Sequence, residues 1–137
     1  MRTAAARAVL FLGLVYFVVG ILFGELAGVA ASHRMRVAWR GAAWVVSAVA
    51  FGAHIAYEQL RLRSSPRATA FHASSAAALG AFGLAVAANV HAYAVSAREH
   101  ALMRALSLVI WPVITMLPAF VVALVLAVLL ARARRRA

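Results

Sequence analysis

The sequence predicts an all-α integral membrane protein: a four-transmembrane-helix up-down bundle with short loops and both termini on the cytoplasmic side. Three observations lead there. Of the 137 residues, 66% are hydrophobic and the mean hydropathy is +0.94, whereas a soluble domain is about half apolar. The 14 basic residues are all arginine, and they gather around the borders of four apolar stretches, roughly 8–31, 37–60, 66–97 and 103–131. Each stretch supplies the ~20 residues that cross about 30 Å of hydrocarbon. Inside lipid only helices and closed barrels satisfy every backbone group. The chain, 1–137, then forms a single transmembrane domain.

The first stretch follows Arg2 and Arg7. It is longer than the apolar core of a secretory signal, so it is expected to stay as a span. It holds Gly20, Gly24 and Gly28, a glycine zipper. Glycine at every fourth position makes a flat groove into which a helix of the same chain, or of a second copy, can press. The second stretch has a similar stripe at Ala48, Gly52 and Ala56, and it ends in HIAYEQLRLRSSPRATAFH, residues 54–72. In that segment Ser64 or Ser65 suits an N-cap, and Pro66 suits the first position of the next helix, where its missing N–H costs nothing. The third stretch carries small residues at Ala76, Gly80 and Gly83. The fourth carries Pro112 and Pro118, each of which removes a backbone donor and marks a kink or hinge. Trp39, Trp44, Trp111, Tyr57 and Tyr93 fall near the proposed interfaces, where aromatic side chains anchor helices.

Short connections make consecutive helices antiparallel neighbours. The N-terminus, second loop and C-terminus carry nine arginines, against five for the first and third loops. The richer side is the cytoplasmic one by the positive-inside rule. The expected location is a bacterial inner membrane, with anionic lipid headgroups as the nearest partners. The net charge of +11 does not indicate nucleic acid, because the charges sit at span ends and no segment is long enough to form a soluble binding face. The absence of cysteine removes disulfides, thiolate metal sites and thiol nucleophiles.

Ionisable groups inside spans cost enough to be functional candidates. One layer holds His54, Glu58, Gln59 and His72 toward the cytoplasmic end; the other holds Glu25, Asn89 and His91 toward the outer end. Glu58 follows His54 by four residues and so shares its helix face. His54 and His72 flank the second loop at equal distances and should lie at one depth. His33, Glu99 and His100 are expected in loops. Three readings compete. The polar groups can fix helix register, with Glu58 snorkelling toward Arg61. They can serve as two stations on a proton or cation path, with Glu25 meeting His91. They can bind a group: His54 and His72 a haem, or His54, Glu58 and His72 a divalent metal. No nucleophile arrangement, phosphate loop or catalytic carboxylate pair is present, so no enzyme and no resident cofactor are expected. The reading preferred is a small homo-oligomeric membrane protein forming an ion channel or transporter. The alternatives are a non-catalytic accessory or assembly subunit of a larger membrane complex, and a haem- or metal-binding subunit.

Overall fold

A computed structural model describes residues 2–94 and 101–136. It contains four helices in an up-down arrangement: α1 (Arg2–Gly28), α2 (His33–Leu60), α3 (Pro66–Ala94) and α4 (Ala101–Arg136). Expectations for Glu99 and His100 fall outside the described residues. At 1.5 Å per residue, even the 27-residue α1 is about 40 Å long.

Three helices are long and apolar enough to cross a membrane: α1 over Thr3–Gly28, α3 over Pro66–Tyr93 and α4 over Leu102–Arg136. By length and composition these make the chain an integral membrane protein. The expectation of four equivalent spans is therefore narrowed, because α2 is not among them. The cause lies at both its ends. Ser32 accepts a bond from the Met35 N–H at 3.2 Å and caps the helix. The helix thus starts at His33, earlier than expected, and neither His33 nor Arg34, Arg36 and Arg40 belong to a loop. At the other end His54, Glu58 and Gln59 interrupt the apolar run. Only residues 41–53 are free of charge, about 20 Å of helix.

The turn between α2 and α3 is tight. Tyr57 O accepts from the Arg61 N–H at 2.9 Å and the Leu62 N–H at 3.3 Å, and Glu58 O accepts from the Ser64 N–H at 3.1 Å. Arg63 takes a φ of 51° to make this possible, a left-handed conformation costing an L-residue roughly 1–2 kcal/mol. Ser65 then caps α3: its hydroxyl accepts from the Ala68 N–H at 3.3 Å and its carbonyl from the Thr69 N–H at 3.0 Å. Pro66 opens the helix, as the sequence suggested.

The bundle is built around small side chains. Ile55, Ala70, Ala73, Ala123 and Ala127 are fully buried, with Phe51, Phe120, Leu124 and Leu130 packed around them. Large apolar groups such as Leu14, Val18, Trp44, Val49, Val109 and Leu117 face outward, which suits hydrocarbon surroundings. α1 and α3 cross closely at Gly13 and Gly80. A Cβ placed on Gly80 would stand 2.5 Å from Tyr16 Cβ and 3.3 Å from Gly13 O; one on Gly83 would stand 2.8 Å from Phe17 Cδ2. The expected zipper behaves differently. Gly20 packs on Leu84, but Gly24 and Gly28 have nothing within 4 Å. α4 remains helical through Pro112 and Pro118.

Candidate functional site

The last two turns of α2 carry His54 and Glu58 inward against α3, and the short 61–65 turn returns the chain so that His72 faces them. Glu58 has no exposed surface. His72 Nδ1 lies 2.9 Å from Glu58 Oε1 and 3.0 Å from Oε2, astride the carboxylate. An ionised carboxylate can only accept, so in that state Nδ1–H is the donor. His54 Nε2 stands 3.4 Å from the same Oε1, within ion-pair range, yet it makes no hydrogen bond. The His54 side chain is 3% exposed and that of His72 29%. Exposure therefore falls from His72 to Glu58 and His54, which places one partly open imidazole against a closed carboxylate.

Gln59 extends the cluster sideways. Its Nε2 donates to Thr69 Oγ1 at 2.8 Å and to Ser64 O at 3.1 Å. Its backbone carbonyl accepts from Arg134 Nη1 at 2.7 Å. One residue thereby joins α2, α3 and the C-terminal turn of α4. Its Oε1 is buried without a partner. Sequence reasoning passed over Thr69 and Arg134. Thr69 could have been found from the cap at Ser65, which sets the first turn of α3 opposite Gln59. Nothing distinguishes Arg134 from the three other C-terminal arginines, Arg132, Arg135 and Arg136, in the sequence.

The outer layer does not assemble as expected. Glu25 and His91 are both exposed, and neither makes a hydrogen bond or ion pair with the other among the described residues. Asn89 turns instead to α4, donating to Ser107 Oγ at 3.1 Å and to Ala85 O at 2.8 Å. The Arg104 guanidinium sits 5.5 Å from the centre of the Tyr93 ring. These contacts tie α3 to α4.

Haem and metal fit the cluster poorly. The Glu58 carboxylate already fills the space between the imidazoles of His54 and His72 that an iron and its porphyrin would need. Among the described residues, no group of three or more His, Cys, Asp or Glu side chains is arranged to hold a metal ion. Both oxygens of Glu58 are already engaged by His72 Nδ1.

Fold and site together define a class: a small α-helical membrane protein with one buried carboxylate set between two imidazoles. Comparison of the chain with known protein families, curated proteins and solved structures finds no match.

Proposed function

We infer that the chain is a small membrane protein that moves or gates a proton or another small cation, as a channel or transporter built from several copies. The observation that supports this best is the contrast between the partly exposed His72 and the buried Glu58 and His54 beside it. An imidazole can pass a proton through its two nitrogens, and here one imidazole reaches the surface while its nitrogen touches a carboxylate with no exposure. Such a group is expensive inside apolar helices unless paired or used. In this reading all four helices cross the bilayer of a bacterial inner membrane. Both termini, with α2's polar end, lie on the cytoplasmic side, where the arginine excess belongs. The bundle is narrow, and Gly24 and Gly28 offer an open face of α1 for a second copy.

The test is proton flux into vesicles containing the purified chain, followed with an entrapped pH-sensitive dye. Glu58→Gln keeps the side-chain shape and removes the exchangeable acid. Flux should fall ~100-fold or more, the scale of losing a positioned proton-transfer group, while the helical signal and the oligomer mass stay unchanged. Normal flux through folded Glu58→Gln would make the cluster a register lock only. A second reading, an accessory subunit of a larger membrane complex, is favoured by the way Gln59 ties three helices together. Co-purification of other subunits, with no flux at any pH, would select it.

A further inference from the structure

A groove between α1 and α2 lies beside the histidine cluster and has a chemistry of its own. Its volume is about 630 Å³, within the usual ~300–1,000 Å³ of a small-molecule site. It follows α1 from Ala4 to Val15, about 16 Å of helix. Phe11, Val15, Ala50 and Ala53 line its length, and the alanines on α2 are what leave it open. Because the two helices run in opposite directions, Arg7 and Tyr57 meet at the same end of it.

That end is strongly positive. Arg61, Arg63, Arg67, Arg132, Arg135 and Arg136 are exposed there as well. Among the described residues Arg7 has no carboxylate partner, since Glu58 is buried between histidines and Glu25 sits at the far end of α1. Its guanidinium is exposed and open to an anion from outside the chain. A greasy trough ending in a guanidinium and a phenol complements one kind of molecule, an apolar chain with an anionic head. We propose that this groove holds one anionic phospholipid, with an acyl chain along Phe11 and Ala53 and its phosphate on Arg7. A guanidinium matches phosphate oxygens in geometry and charge, and a basic pocket at the cytoplasmic end of a bundle meets the leaflet richest in anionic lipid. The assignment depends on the membrane setting of the bundle, not on ion movement.

The test is native mass spectrometry of the full chain, purified in detergent and given phosphatidylglycerol, phosphatidylcholine or inorganic phosphate. The wild type should keep one phosphatidylglycerol per chain and prefer it to phosphatidylcholine. Arg7→Gln should reduce that preference about fivefold, the share of one basic residue at a membrane surface. Ala53→Phe should fill the groove and remove the adduct. Ala50→Leu, a smaller intrusion, serves if Ala53→Phe loses its helical signal. Equal retention of both lipids, or an undiminished adduct in the groove-filling variant, overturns the proposal. So does displacement of the lipid by inorganic phosphate, which would make Arg7 a site for soluble anions. A dimer that dissociates in Ala53→Phe would give the groove to a second copy. Flux through Glu58→Gln vesicles is read separately, so the lipid site and the proton path can fail independently.

Discussion

The crossing of α1 and α3 makes a sharp stability prediction through Gly80→Ala. An added Cβ would lie 2.5 Å from Tyr16 Cβ and 3.3 Å from the Gly13 carbonyl. Carbon atoms pack at about 3.5–4.0 Å, so the two groups must separate by about 1 Å or more. Tyr16 Cβ is bonded directly to the backbone and cannot swing away as a side-chain tip would, so α1 itself has to move. Overpacking of this kind costs about 1–3 kcal/mol. The gain in helix propensity from glycine to alanine returns up to ~1 kcal/mol, leaving a net loss of up to about 2 kcal/mol. Gly52→Ala is the matched control, since a Cβ there meets nothing within 4 Å. It should gain the propensity term with no clash. The assay is reversible unfolding of both variants in one detergent at one protein concentration. If Gly80→Ala is as stable as Gly52→Ala, the close crossing is wrong and the packing between α1 and α3 must be redrawn.

Two further substitutions probe the polar end. Gln59→Leu removes the bonds to Thr69 and Ser64 and leaves the buried Thr69 hydroxyl and the half-buried Ser64 carbonyl without that donor; it should cost about 1–3 kcal/mol, measured by the same unfolding assay, and should loosen hydrogen-exchange protection in the first turn of α3. Arg63→Gly relieves the left-handed backbone at φ 51° and should stabilise the chain by up to ~1 kcal/mol once glycine's extra chain entropy is set against the relief; a loss of stability there would show that the arginine side chain matters more than its backbone.

Much of this architecture could be read from the residues alone, because the signals are local. Ser65 and Pro66 announce the start of α3 through cap chemistry. The spacing of His54, Glu58 and His72 around a five-residue turn puts them at one depth whatever the rest of the bundle does. What stayed hidden depends on partners. Gly20, Gly24 and Gly28 permit a close approach without saying which helix makes it. The crossing instead uses Gly13 and Gly80, and two of the three zipper glycines are left open. Glu25 and His91 share a direction and a depth by counting, but their rotation about the helix axes follows from packing, and both face outward. The early start of α2 was missed because three arginines look like a loop. Ser32, as a cap, outweighs that impression, since an arginine on an exposed helical turn costs little.

The 20 Å apolar belt of α2 makes the protein lopsided toward any bilayer that surrounds it. On the flanks formed by α1, α3 and α4 the hydrocarbon finds a wall at least as tall as itself. On the α2 flank the wall is about a third too short for a 30 Å core. With α2 as the proposed fourth crossing, acyl chains there must compress, or the arginines at its start must stretch toward the headgroups. The strain of insertion gathers on one side of the molecule, and a neighbour with a matching short belt would find its cheapest berth there.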